Sequence, residues 1–166
     1  MEKRKIVQVY YGRGKGKSTA AIGQCVRAIN RDEQVIVIQF LKGKERDDMK
    51  CLERFESNIK VVHFEKYQKS YRDLTDEEKQ DERENLKNGF HYATKVAETG
   101  ECDLLVLDEV LGLIDLRIID EAELIRLIAH CDDSMHLILT GQNLPESLLP
   151  YADIVSQITP IKELQQ

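Results

Sequence analysis

Residues 5–21 read Lys5-Ile6-Val7-Gln8-Val9-Tyr10-Tyr11-Gly12-Arg13-Gly14-Lys15-Gly16-Lys17-Ser18-Thr19-Ala20-Ala21: a strand-forming run, three alternating glycines, then the opening of a helix. The run at 5–10 is rich in β-branched and aromatic side chains and stops at the first glycine. From about Lys17 a helix is predicted, with Ile22, Cys25, Val26 and Ile29 recurring at i, i+3, i+4, i+7. Between them, Gly12, Gly14 and Gly16 allow several backbone N–H groups to come close to oxygen atoms, in dihedrals that other residues avoid. The helix start adds unpaired N–H groups and the positive end of its dipole. A strand–glycine turn–helix of this kind is built to hold an anion.

The side chains of the turn narrow the anion to a chain of phosphates. Lys17 is placed to reach phosphate oxygens and Ser18 to bind a magnesium ion, as in a P-loop. The usual spacing, G-x-x-x-x-G-K-[ST], puts four residues between the first glycine and the Gly-Lys pair. Here only Arg13, Gly14 and Lys15 separate Gly12 from Gly16, and Tyr11 occupies the standard glycine position. The loop is one residue short, and Arg13 and Lys15 give it extra positive charge. Gly12, Arg13, Gly14, Lys15, Gly16, Lys17, Ser18 and Thr19 are the candidate ATP-binding residues.

Outward from this loop, β-rich runs alternate with amphipathic helices. Further strands are predicted over 34–40, 59–63, 104–107, 136–140 and 153–158. The run at 34–40 is apolar at nearly every position, as a strand covered on both faces should be. Thr75 and Glu78 have the spacing of a capping box, and Leu86, Phe90, Ala93 and Ala97 give the following helix one buried stripe. Its first half, crowded with acids and bases, reads as a solvated face. Asp120 is expected to cap a helix carrying Leu124, Ile125, Leu127 and Ile128. The expected fold is α/β: a mainly parallel six-stranded sheet with helices on both faces, of the P-loop, RecA-like type, with residues 1–166 forming a single nucleotide-binding domain. In such sheets ligands bind beyond the carboxyl ends of the strands. Residues 12–18, the pair Asp108-Glu109 and the pair Thr140-Gly141 all fall at such ends. Asp108 or Glu109 follows an apolar strand, where P-loop proteins place a magnesium-binding acid; spacing leaves open which of the two faces the metal. The metal candidates are therefore Ser18, Asp108 and Glu109, and no side chain is singled out as catalytic.

Composition sets the outer bounds. Twenty-four Lys and Arg against 30 Asp and Glu give a net charge of −6, which argues against general nucleic-acid binding. No apolar run approaches the ~20 residues of a membrane span, and the one after the basic N-terminus is too short for a signal peptide. A cytoplasmic protein is expected. Cys25, Cys51, Cys102 and Cys131 are dispersed without a C-x-x-C pair, so reduced and mostly buried thiols are expected. The four histidines are equally scattered and read as structural or surface residues.

The loop followed by Thr19-Ala20-Ala21 resembles the shortened P-loop G-N-G-K-G-K-T-T-A-A of the ATP:corrinoid adenosyltransferases of the bacterial cobalamin pathway. Val37-Ile38-Gln39-Phe40-Leu41-Lys42-Gly43 is similar to that family's V-V-Q-F-I-K-G, and Val106-Leu107-Asp108-Glu109-Val110 to its V-L-D-E-L. Ala152-Asp153-Ile154-Val155-Ser156, with Pro160-Ile161-Lys162 behind it, resembles its last strand. The resemblance implies that a cobalt(I) corrinoid attacks the 5′ carbon of ATP and expels the whole triphosphate. It also implies that Mg2+ is served by Ser18 and Glu109, that a reductase supplies cobalt(I), and that the protein is a homodimer. Family enzymes use aromatic residues after the third strand to crowd out the lower cobalt ligand; here the candidates are Phe64, Tyr67 and Tyr71, and the chain has no tryptophan. Where the family commonly reads T-G-R-G, this chain reads Thr140-Gly141-Gln142-Asn143. The family's N-terminal extension and glycine-containing C-terminal tail have no counterpart in the sequence, from which a more open site or an altered partner is expected. Two other readings accompany this one: a P-loop ATPase or kinase, and a non-catalytic ATP-binding regulator.

Overall fold

A computed structural model describes residues 3–55 and 57–164 of the chain. Six strands, β1 (Ile6–Tyr11), β2 (Val35–Gln39), β3 (Ile59–His63), β4 (Leu104–Asp108), β5 (His136–Gly141) and β6 (Ile154–Gln157), form one sheet in the order β3-β2-β4-β5-β1-β6. Every pairing is parallel. The apolar runs Val-Ile-Val-Ile of β2 and Leu-Leu-Val-Leu of β4 are buried throughout, because helices or helical turns cover both faces of the sheet. β6, at one edge, is largely exposed.

On one face lies α1 (Lys17–Ile29), whose Ala21, Cys25 and Ala28 pack against Val35, Val37 and Val106, with Met49 and Leu52 completing that layer. The opposite face holds α2 (Asp76–Thr99), α3 (Val110–Asp115) and α4 (Glu121–His130). The expected α2 stripe of Leu86, Phe90, Ala93 and Ala97 is buried there. The predicted capping box of Thr75 with Glu78 is formed, and the expected cap Asp120 proves to be half of a second box with Glu123. Each satisfies two N–H groups that a helix start would otherwise leave bare.

Some features depart from the sequence expectation. The six-residue α3, directly after β4, has no counterpart in the sequence expectation, being too short to declare a helical period. Residues Gly43–Phe55 and Glu146–Tyr151 form 3-10 segments. In the charge-crowded first half of α2, Glu82 is buried rather than solvated, at 3 % exposure. All four cysteines are reduced; Cys25, Cys102 and Cys131 are buried and Cys51 is exposed. Burial pushes the Cys25 thiol up to about 12 and that of Cys131 to about 11, which makes both inert at neutral pH. Among the described residues no helix is long and apolar enough to cross a membrane.

Topology fixes what meets at the carboxyl end of the sheet. β5 lies between β1 and β4, so Thr140 stands between the loop after β1 and Asp108 at the end of β4. The β2–β4 register sets Gln39 beside Asp108, which brings the residues just after Gln39 to the same place.

Candidate functional site

The loop after β1 is held from two directions. The Gly12 N–H donates to the carbonyls of Gly141 and Gln142, 3.1 Å from each, and the Gly14 N–H donates to Ile158 O at 3.0 Å. A Cβ on Gly12 would fall 2.2 Å from Ile158 O, and one on Gly14 would fall 2.8 Å from Ile158 Cγ2. Gly12 is therefore demanded by the protein's own backbone beyond β6, and Gly14 first by the Ile158 side chain. Gly16 differs: a Cβ there meets nothing within 4 Å, and glycine is required by its φ of 116°. The first helical hydrogen bond after it runs from Ala20 N to Gly16 O, so the N–H groups of Lys17, Ser18 and Thr19 precede the helical ladder.

A cavity of about 550 Å³ opens over this helix start. It is lined by Arg13, Gly14, Lys15, Gly16, Lys17, Ser18 and Thr19, facing Lys42, Glu109 and Gln142. Seven of the eight predicted ATP-binding residues thus share one cavity; Gly12 lies outside its lining. The Lys17 ammonium donates to Gly14 O at 3.0 Å, bent back across the loop.

Beneath the cavity the strand ends form a buried polar knot. Asp108 is fully buried. Its carboxylate lies 3.1 and 3.2 Å from the Ser18 hydroxyl and accepts the Thr140 hydroxyl at 2.7 Å. The Lys42 ammonium sits 3.0 Å from Asp108 Oδ2 and 2.9 Å from Ser18 Oγ, with only 8 % of its side chain exposed. Thr140 in turn accepts the Glu109 N–H at 2.8 Å. Glu109 is in the left-handed region at φ 61°, a conformation that costs a non-glycine residue about 1 kcal/mol or more and turns its side chain into the cavity wall. Its Oε1 is buried with no hydrogen-bond partner. Burial pushes the Glu109 carboxyl above the usual carboxylate range, and the nearby Lys42 charge opposes that shift. The Gln39 side-chain amide is also buried, with neither its nitrogen nor its oxygen partnered.

These residues fit a magnesium ion. Mg2+ takes hard oxygen donors, one or two of them carboxylates, and completes its shell with water and phosphate oxygens. Ser18 and Asp108 supply adjoining oxygens, and Glu109, whose buried Oε1 lacks a hydrogen-bond partner, lines the same cavity.

A second cavity, of about 330 Å³, adjoins the first and shares Glu109 and Gln142 with it. Leu41, Tyr71, Arg72 and Leu116 form much of the remainder. Of the three aromatic candidates only Tyr71 lines it. Phe64 packs in the core beside Tyr92, ring centroids 5.6 Å apart, and the Tyr67 hydroxyl donates to Asp81 at 3.0 Å.

Two carboxylates that sequence reasoning passed over hold this side together. Glu65 accepts the N–H groups of Lys42 and Gly43 at 2.8 and 2.9 Å. The buried Glu82 accepts those of Lys66 and Tyr67 at 3.0 Å. The available signal for Glu82 was its place four residues before Leu86 on the apolar stripe, where an acid must find a partner. For Lys42 and Thr140 the signal was their position at the ends of buried strands.

Comparison with known proteins agrees with this geometry. The sequence model of the family described as ATP:corrinoid adenosyltransferase BtuR/CobO/CobP matches residues 3–166. A corrinoid adenosyltransferase of Escherichia coli K12 is 25 % identical over 163 residues, spanning 97 % of this chain and 80 % of that protein. The corrinoid adenosyltransferase CobA of Salmonella typhimurium LT2 is 28 % identical with the same coverage. Among solved structures, a KaiC-like protein from Pyrococcus horikoshii superposes with a TM-score of 0.55 at 22 % identity, over 86 % of this chain and 62 % of that one. That likeness establishes the RecA-like fold. With the family model matched from end to end of the described residues, the chain belongs to the ATP:corrinoid adenosyltransferase family.

Proposed function

We propose that the protein transfers the 5′-deoxyadenosyl group of ATP to the cobalt(I) of a corrinoid. The observation that carries this reading is the pair of adjoining cavities with a common wall of Glu109 and Gln142. One has the cations and helix start that suit a triphosphate; the other sets Tyr71, Leu41 and Leu116 beside Ser70, Arg72 and Asp115, a mixed wall against which part of a second substrate could rest. In the transfer the cobalt(I) lone pair forms the bond to C5′, the C5′–O bond breaks, and triphosphate leaves with the electron pair. Reduced cobalt is itself a strong nucleophile, so no general base is asked of the protein. Its tasks are to align the two substrates and to stabilise the leaving anion.

Lys17, Lys15 and Arg13, with the N–H groups of residues 16–19, take the second task. Ser18 and Asp108 would hold Mg2+, with Glu109 lining the same cavity from its strained turn. The bound ion would supply further neutralisation of the triphosphate. Tyr71, the aromatic candidate that lines the second cavity, would face the corrinoid. The family resemblance adds a homodimer, a cytoplasmic setting and a reductase that delivers cobalt(I); these belong to the proposal.

The test is to incubate the protein with ATP, Mg2+ and a chemically reduced corrinoid. A light-sensitive cobalt–carbon product with stoichiometric triphosphate is the expected result. ADP or orthophosphate without that product would make the protein a phosphoryl-transfer enzyme, and ATP binding without turnover would make it a regulator.

A further inference from the structure

Lys42 has a place that the phosphate-binding loop does not explain. Its ammonium lies between Ser18 Oγ at 2.9 Å and Asp108 Oδ2 at 3.0 Å, the two groups best placed to hold the metal. A positive charge in contact with both oxygens occupies the position a divalent cation would need. The same ammonium lines the cavity over the loop, so rotation about its side-chain bonds would carry it toward bound phosphates.

The backbone beneath it is fixed. Glu65 accepts the N–H groups of both Lys42 and Gly43, and the flanking Leu41 and Gly43 have φ of 56° and 50°. A Cβ on Gly43 would lie 3.1 Å from the carbonyls of Gln68 and Lys69, so the turn has no room to slide. The turn strains a leucine into the left-handed region, and the carboxylate holds it there. Only the lysine stem is left to move. As a device for stability alone the arrangement makes poor sense, since a buried ion pair often does no better than an apolar pair of equal size.

We propose that Lys42 is a tethered stand-in for the metal. In the nucleotide-free protein its ammonium fills the Ser18–Asp108 position and keeps divalent cations out. When magnesium and triphosphate enter together, the ammonium yields the position to the metal and becomes a ligand of the triphosphate. Metal binding is thereby made conditional on nucleotide. This rests on the reading of residues 12–19 as a triphosphate site.

The experiment uses Mn2+ as the probe, its free concentration followed by electron paramagnetic resonance, with the full chain in the absence and presence of ATP. For the unaltered protein, weak Mn2+ binding alone and strong binding with ATP are expected. Lys42→Met should tighten Mn2+ binding without nucleotide by roughly tenfold or more, because a like charge has been lifted from the site, and should weaken Mn2+–ATP binding. Lys42→Arg should keep the metal excluded. If Lys42→Met fails to fold, Glu65→Ala, which frees the turn and keeps the charge, should give a smaller gain of the same sign. Mn2+ affinity without nucleotide that is unchanged in whichever of Lys42→Met and Glu65→Ala folds overturns the proposal. Failure of the unaltered protein to bind Mn2+–ATP at all would instead overturn the triphosphate reading.

Discussion

The loop-side cavity takes its walls from strand ends and a helix start, whereas its neighbour takes them from the segment between β3 and α2 and from the short α3. On the loop side, groups from three separate strand ends and α1 interlock through Asp108 and Thr140. Pleated strands in a fixed register leave those groups little freedom, which suits the recognition of charge at a defined point. On the other side the shape depends on two carboxylates, Glu65 and Glu82, each accepting backbone N–H groups of a connecting segment. Such a wall can change its sequence without disturbing the sheet. One half of the cleft is thus fixed by the sheet itself and the other by its connecting segments.

That contrast can be broken at its most rigid point. Asp108→Ala would remove the buried carboxylate that Ser18, Lys42 and Thr140 share, at a cost of about 3–5 kcal/mol. Thermal denaturation should show a fall in Tm of roughly 10 °C, since each kcal/mol is worth ~2–4 °C in a chain of this size. A Tm within ~2 °C of the unaltered protein would mean that the knot is not what braces this end of the sheet. Lys17→Ala acts on the same half without touching the core. Losing a hydrogen bond to a charged group costs about 1.5–3 kcal/mol, so ATP binding by calorimetry should weaken roughly 10- to 100-fold. Corrinoid affinity should be unaffected if the halves are independent.

Gly14→Ala sharpens the comparison from another direction. The added methyl meets Ile158, and overpacking of that kind costs about 1–3 kcal/mol. Its effect should appear as lost stability with a severalfold loss of ATP affinity, and a Gly14→Ala, Ile158→Ala double variant should recover part of both, since the Ile158 carbonyl still lies 3.0 Å from the added methyl. The smallest effect is expected from Tyr71→Ala, a single contact on the adaptable side. KM for the corrinoid should rise about fivefold, equivalent to ~1 kcal/mol, while the Kd for ATP stays constant. An equal loss for both substrates would show that the two cavities act as one.

The strands and the phosphate-binding loop were legible because their signals are local. An unbroken apolar run flanked by glycine, or a cap three residues from its partner, is written within one turn of chain. The reasons behind the glycines were not, since Gly12 and Gly14 are constrained by Ile158, far along the sequence and adjacent only because β6 pairs with β1. Lys42 was visible as part of a signature, but its contact with Asp108 follows from the β2–β4 register. Glu65 and Glu82 lie in a stretch crowded with charge, where a carboxylate turned toward backbone N–H groups reads like one turned toward water. Sequence patterns report burial of apolar faces well and the direction of individual charged side chains poorly.

The position of β1 has a consequence for how the protein comes into being. Its two neighbours in the sheet are β5 and β6, so the loop that begins at residue 12 is completed by carbonyls of residues 141, 142 and 158. At ordinary rates of translation those residues emerge on the order of ten seconds after the loop itself. Until then the first-made element of the site has neither its sheet partners nor its backbone supports. A nascent chain ending before residue 141 therefore carries the phosphate-binding sequence but not the phosphate-binding geometry, and capture of nucleotide by such chains should be absent.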